Sequence, residues 1–184
     1  MRVIAGEFRG RVLKSPPGNR TRPTSDRLRE SLFNILTPRI HDGTRVLDLC
    51  AGTGAIGIEA LSRGAAFVTF VDKSRKACAL IEENLDLLQI PESQTEVTSL
   101  DAANFSGRKH ETGWDIVFFD PPYTTDYSIV LHDFGSEENG LLREDGVLIA
   151  EHHLKNPLPD AVGAIRRWRT LKQGGTILSF YERN

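Results

Sequence analysis

From Arg45 onward, short apolar runs alternate with stretches in which apolar residues recur at helical spacing. The runs near 45–50, 67–72, 94–98, 115–119 and 146–151 read as buried strands, and 55–63 and 74–88 read as helices. A third, short helix is predicted within 101–106 and a fourth within 126–142. Such alternation predicts an α/β fold with a mostly parallel sheet and helices on both faces. The last two runs, 165–172 and 176–183, flank Gly174-Gly175 and predict an antiparallel hairpin at the sheet edge. Ahead of this body, residues 2–14 place Val3, Ile4, Val12 and Leu13 around Gly6 and Gly10, the pattern of a two-stranded unit with a tight turn. A Pro/Gly/Asn loop, Ser15 to Arg20, closes it. Thr24 after Pro23 is a fair N-cap for a helix over 25–37, where Leu28, Leu32, Ile35 and Leu36 share one face before Pro38 stops it. The expected organisation is a hairpin arm over 1–21 and one α/β domain over 22–184.

Charge sharpens that division. The chain of 184 residues has a net charge of -2, yet residues 1–41 carry nine Lys/Arg against three acids, which leaves the remainder at -8. A basic arm on an acidic body suits a phosphate backbone, because Lys and Arg displace its condensed counterions. Arg9, Arg11, Arg22 and Arg27 are the candidates for that contact; a solvated basic hairpin is the plainer alternative. No window approaches the roughly 18 to 20 apolar residues of a membrane span, and Arg2, Glu7 and Arg9 interrupt any signal-like run. A cytoplasmic protein without membrane contact is expected. Cys50 and Cys78 form no CxxC and predict neither a disulfide framework nor a zinc site. His152 and His153 are neighbours on a predicted strand, so they point to opposite faces and make a poor metal pair. Trp114, Trp168 and Phe118-Phe119 are expected in the core.

Two motifs carry chemistry. Val46-Leu47-Asp48-Leu49-Cys50-Ala51-Gly52-Thr53-Gly54-Ala55-Ile56-Gly57 reads as strand, glycine turn and helix start, where open α/β sheets bind ligands. The glycines alone suit a nicotinamide dinucleotide as well as S-adenosylmethionine. Asp48 favours the second, since a carboxylate there repels a pyrophosphate and attracts the ammonium of a methionine moiety. Asp72 stands at the end of the second strand, twenty residues beyond Gly52, where a carboxylate accepts from ribose hydroxyls. Asp101, after the third strand, can meet an adenine amine beside the Ala102 N–H, or simply cap a helix.

The second motif, Asp120-Pro121-Pro122-Tyr123, follows the run Ile116 to Phe119. Successive prolines have no N–H and fix a rigid loop in which the Asp120 and Pro121 carbonyls serve as acceptors. That suits a planar amine conjugated to a ring, which turns nucleophilic only when acceptors hold its N–H groups and let the nitrogen pyramidalise. Tyr123 offers a ring on which a flipped base can stack.

With both motifs placed, the chain resembles the RsmD family of 16S ribosomal RNA guanine-N2 methyltransferases over nearly its full length. The resemblance runs through Arg2-Val3-Ile4-Ala5-Gly6, Arg9-Gly10-Arg11, Arg22 to Asn34, Asp48 to Gly54, Glu59 to Ala65 and Asp120 to Tyr123. It implies a Rossmann-like class I methyltransferase fold with a seven-stranded sheet. It implies S-adenosylmethionine held by Asp48, Ala51, Gly52, Thr53, Gly54, Asp72, Lys73, Asp101 and Ala102, and a target guanine held by Asp120, Pro121, Pro122 and Tyr123. It further implies 16S ribosomal RNA, or a partly assembled small subunit, as partner of a monomeric, metal-free enzyme in bacterial cytoplasm. Three other readings compete. A protein glutamine N5-methyltransferase carries Asn where this chain has Asp120, and a DNA adenine methyltransferase needs a longer recognition insertion. A non-catalytic RNA-binding factor has no use for Asp48, Asp72 and Asp120 together.

Overall fold

The computed structural model describes residues 1–16, 25–122 and 124–183, so Arg22, Thr24 and Tyr123 lie outside the described residues. Helix α1 spans Asp26–Leu36, and the body then alternates β1 (Arg45–Leu49), α2 (Ala55–Ser62), β2 (Phe67–Asp72), α3 (Arg75–Leu88), β3 (Thr95–Ser99), α4 (Ala102–Ser106), β4 (Trp114–Phe119), α5 (Ser128–Gly135) and β5 (Leu142–His153). Strands β6 (Ala161–Val162), β7 (Ile165–Gln173) and β8 (Thr176–Arg183) complete the chain. The sheet order is β3-β2-β1-β4-β5-β8-β7-β6. β1 to β5 run parallel, and β8, β7 and β6 add antiparallel pairings at one end.

The class is the expected one, but the sheet has eight strands rather than seven. The addition is β6, whose two residues pair with Ile165 and Arg166 and are too short to leave an alternating pattern. β5 also starts before the expected 146, because the polar Glu144-Asp145-Gly146 stretch stays in the strand, with Asp145 at φ 62° and a register shift opposite Trp114–Ile116. The N-cap of α1 is Ser25 rather than Thr24, with its Oγ accepting from Leu28 N–H at 3.2 Å.

Strand alternation divides two cores. Val46, Val68, Phe70, Ile116, Phe118, Val147, Ile149, Leu178 and Phe180 face α1, α2 and α3. Leu47, Leu49, Val71, Val117, Phe119, Leu148, Ala150 and Tyr181 face α4 and α5. Trp114 is buried with its Nε1–H toward Thr69 Oγ1, whereas Trp168 corrects the expectation of a core residue. It is 43% exposed, edge-on to Phe180, with the Arg39 guanidinium 5.9 Å from its ring centroid.

The arm is a single antiparallel bridge, Arg2 to Val12, supported by Val3 N–H to Arg11 O at 3.0 Å and Leu13 N–H to Met1 O at 2.9 Å. Val3 and Leu13 belong to the same core as α1 and α2. Buried Glu59 on α2 accepts from Ile4 N–H at 2.7 Å, Ala5 N–H at 3.0 Å and Arg63 Nε at 2.8 Å. Gly6 is obligatory there: at φ 81°, a Cβ would sit 1.7 Å from the Ser62 carbonyl oxygen. No helix among the described residues is long and apolar enough to cross a membrane.

Candidate active site

The glycine loop is folded by three left-handed residues, Cys50 (φ 62°), Gly52 (φ 57°) and Gly54 (φ 75°). Gly54 N–H closes the turn on Ala51 O at 2.8 Å, and Ala51 N–H reaches Val71 O at 3.1 Å, fastening the loop to β2. A Cβ at Gly52 would meet nothing within 4 Å, so this side of the loop is open. A Cβ at Gly57 would lie 2.2 Å from Phe70 Cε1; that glycine exists to seat α2 on β2. Thr53 faces the arm, because its carbonyl accepts from buried Asn84 Nδ2, which also bonds Lys14 O while Asn84 Oδ1 accepts from Lys14 N–H.

Asp48 lies beneath the loop rather than on it. Its side chain is 2% exposed, and Oδ2 accepts from Gly57 N–H at 2.9 Å, supplying the cap that Gly54 has no side chain to give α2. Burial pushes its carboxyl up to about 7, against the Gly57 hydrogen bond and with help from the charge of Asp72. Asp72 is partly exposed and spans two loops, Oδ2 accepting from Gly52 N–H at 3.0 Å and Oδ1 from Ser74 N–H at 2.8 Å. Lys73 beside it is exposed. Asp101 caps α4 through Ala103 N–H at 3.0 Å, and Ala102 is buried behind it.

Asp120 extends β4 by one residue, its N–H donating to Leu49 O at 3.2 Å. Burial raises its carboxyl well above the usual range, followed by the charges of Glu151 and Asp48. Pro121 is buried, Pro122 is exposed, and Pro122 O accepts from Thr125 N–H at 2.8 Å, tying the tetrad to the start of α5. Half-buried Cys50 registers the convergence of these acids: its thiol is pushed up to about 12 by burial first, then by Asp72, Asp120, Asp48 and Asp101. The charges of four acids distant in sequence thus act on one residue near the carboxyl ends of β1 to β4.

The arm candidates separate. Arg9 and Arg27 are exposed, while Arg11 Nη2 donates to Leu87 O at 3.1 Å, at the end of α3. Arg29, counted in the basic arm, is 1% exposed; it donates to Arg2 O and Asp26, so it serves the fold and offers no charge to a ligand. His152 is likewise structural: Nδ1 lies 2.9 Å from Asn156 O and can only donate to it, leaving Nε2 to accept from Ser179 Oγ. Burial holds its pKa below the usual value.

Sequence reasoning assigned no role to Glu151, Glu59 or Asn84. All three are buried polar residues, 6%, 0% and 0% exposed. Glu151 had a signal, since it ends an apolar run as Asp72 and Asp120 do. Glu59 stood only within the resembling run Glu59 to Ala65, with no role attached, and Asn84 gave no signal, because each serves a contact made only after the arm docks.

The model of the family described as conserved hypothetical protein 95 matches residues 1–182. Ribosomal RNA small subunit methyltransferase D of Escherichia coli is 36% identical over 186 residues, covering 100% of this chain and 90% of that protein. The protein of the same name from Haemophilus influenzae is 34% identical, covering 98% and 91%. The solved structure of Escherichia coli yhhF shares 33% identity with a TM-score of 0.88, covering 100% of this chain and 98% of that one. SMU.776, solved as a complex with SAH, shares the fold at 17% identity and a TM-score of 0.67, over 83% of this chain and 48% of that one. By the extent of these matches, the chain belongs to the family of ribosomal RNA small subunit methyltransferase D, the RsmD family.

Proposed function

We propose that this chain transfers a methyl group from S-adenosylmethionine to the exocyclic N2 of a guanine in 16S ribosomal RNA. The observation that carries the reading is the convergence of Asp48, Asp72, Asp101 and Asp120 on the loop at Cys50, since this puts a glycine-loop ligand site and the tetrad side by side. The names of the relatives point to a ribosomal substrate, and the open face of Gly52 leaves room for a ligand to approach the loop backbone.

Each end of the site then has its task. Asp72, already fixed by Gly52 and Ser74, has lone pairs left for ribose hydroxyls, and Asp101 with Ala102 is assigned to the adenine. Asp48 sets the loop geometry from below and adds negative charge under the methionine ammonium. Ala51, Thr53 and Lys73 are assigned to the cofactor by their places in and beside the two loops. S-adenosylmethionine supplies a sulfonium methyl whose C–S bond breaks as the new C–N bond forms. Asp120 and the Pro121 carbonyl accept the amine's N–H groups, which frees the nitrogen lone pair and aims it, and the surplus proton passes from N2 to Asp120 or water. Tyr123 is assigned to stacking by its place in the tetrad. Alignment in a dry, preorganised site carries the rate, without a strong base. Exposed Arg9 and Arg27 are assigned to phosphates, as is Arg22 by its sequence position.

The test is transfer of tritiated methyl from S-adenosylmethionine into hypomethylated small subunits, followed by nucleoside analysis. N2-methylguanosine is the expected product. Label in N6-methyladenosine, or no label in the RNA, would overturn the reading.

A further inference from the structure

The sheet places a second carboxylate beside Asp120. Phe119 pairs with Ala150 across β4 and β5, so Asp120 and Glu151 are the next lateral neighbours, one strand spacing of about 4.8 Å apart in the backbone. They also share a face. Phe119 and Ala150 point into the α4–α5 core while Phe118 and Ile149 point into the other, and Asp120 and Glu151 alternate onto the Phe118–Ile149 side. Asp48, between Leu47 and Leu49 of the α4–α5 core, lies on that side too. Glu151 is 6% exposed, and its charge acts on the Asp120 carboxyl. Its backbone is pinned, because Glu151 O accepts from the buried Tyr127 hydroxyl at 2.9 Å and Glu151 pairs with Leu178 of β8. A rigid strand end thus presents two acceptors side by side to whatever the tetrad holds.

Resting on the tetrad as the target-base site, we infer that Glu151 selects the base: Asp120 accepts from guanine N2–H while Glu151 accepts from guanine N1–H. Guanine offers two adjacent donors on this edge. Adenine sets an N1 lone pair beside its amine, and that lone pair facing a carboxylate is repelled. Neighbouring carboxylates disfavour each other when both are ionised, and two donors from one base relieve both at once. A site built to bond a donor rejects by large factors an analogue that sets a lone pair in the donor's place.

The probe is 2-aminopurine, which keeps the 2-amine but has an acceptor at N1. Small-subunit RNA is prepared with the methylated guanine, once mapped, or with 2-aminopurine in its place, and methyl transfer is compared on the two. Wild type is expected to prefer guanine at least a hundredfold. Glu151→Gln, whose amide donates to the bare N1, should lower that ratio at least tenfold, while Glu151→Asp, still acceptor-only, should keep it. An unchanged ratio in Glu151→Gln overturns the inference. So does wild-type protein that methylates both RNAs equally, a result that needs no variant to fold. Failure of wild type to methylate the guanine RNA would instead remove the underlying reading.

Discussion

The acids at the two ends of this site are the same kind of group put to opposite uses. Asp72 and Asp101, at the β2 and β3 side, accept backbone N–H groups from loops and from the first turn of α4 and are at least partly exposed. Asp48, Asp120 and Glu151, on β1, β4 and β5, lie deeper, and burial raises the first two carboxyls above their ordinary range. The first pair makes a polar cradle that is already satisfied by the protein and has acceptor capacity to spare. The second set is costly to bury, a cost that the Gly57 N–H offsets in part at Asp48. A strand-end acid therefore acquires its surroundings from depth and neighbours, which the strand order decides by placing β4 between β1 and β5.

The largest effect should come from breaking the deep side. Asp120→Ala is expected to lower methyl transfer to small subunits on the order of a hundredfold or more, the usual scale for one aligned transition-state contact, with S-adenosylmethionine affinity nearly intact. Calorimetry beside single-turnover transfer separates the two quantities, and a parallel loss of both would erase the contrast. The shallow side should respond in reverse. Asp72→Ala is expected to weaken cofactor binding by about 1.5–3 kcal/mol, roughly ten- to 150-fold, since it removes charge-assisted bonds to the ligand and releases Gly52 and Ser74 N–H.

Proton uptake distinguishes the sides as well. A carboxyl raised in the folded state binds its proton more tightly there than in the unfolded chain, so its contribution to stability is full below about pH 4 and fades as pH rises through the folded value. For Asp48 that window closes near about 7, and Asp120 acts in the same direction. Thermal stability should therefore fall between about pH 4 and 7 as Asp48 titrates, and methyl transfer should rise with pH, because the acceptor at Asp120 must be ionised. Asp48→Asn, whose amide oxygen still accepts from Gly57 N–H, should flatten the stability slope. An unaltered slope would show that Asp48 titrates as it does in the unfolded chain.

The division between what the sequence revealed and what it hid follows the same depth. β1, β2, α2, α3 and the final hairpin were legible because one face or both of each is buried and the hydrophobic period shows it. The glycine loop and Asp72 were legible because contacts within twenty residues create them. Glu151 escaped because its meaning depends on β5 lying against β4, and β6 because two residues leave no period. The arm was half legible. Its charge was visible, but only packing shows that Arg29 is interior and that Arg11 is engaged by Leu87 O.

That last distinction predicts a smaller, salt-dependent effect. Replacing Arg9 and Arg27 with Ala together should lower the log-log salt slope of RNA binding by about 1.4–1.8, at roughly 0.7–0.9 per lost phosphate contact, with cofactor affinity unchanged. Arg29→Ala should do the opposite, lowering stability without moving the slope, because its guanidinium is buried against Arg2 O and Asp26. If both variants shift the slope equally, burial is no guide to which arm residues meet RNA.

The smallest effect is expected at Asp101, where two roles coincide on one carboxylate. Its Oδ1 caps α4 through Ala103 N–H, and Asn caps a helix as well as Asp does. Asp101→Asn therefore leaves the helix alone and changes only what faces the ligand, where an amide that turns its NH2 toward an adenine amine opposes donor with donor. A drop in S-adenosylmethionine affinity of about tenfold or less, without a change in melting temperature, would place Asp101 on the adenine. Asp101→Ala adds the loss of the cap, about 0.5–2 kcal/mol of stability, so its melting temperature should fall as well. Equal affinity in Asp101→Asn and wild type, with destabilisation confined to Asp101→Ala, would reduce this residue to a helix cap and leave Asp72 as the acid that binds the cofactor.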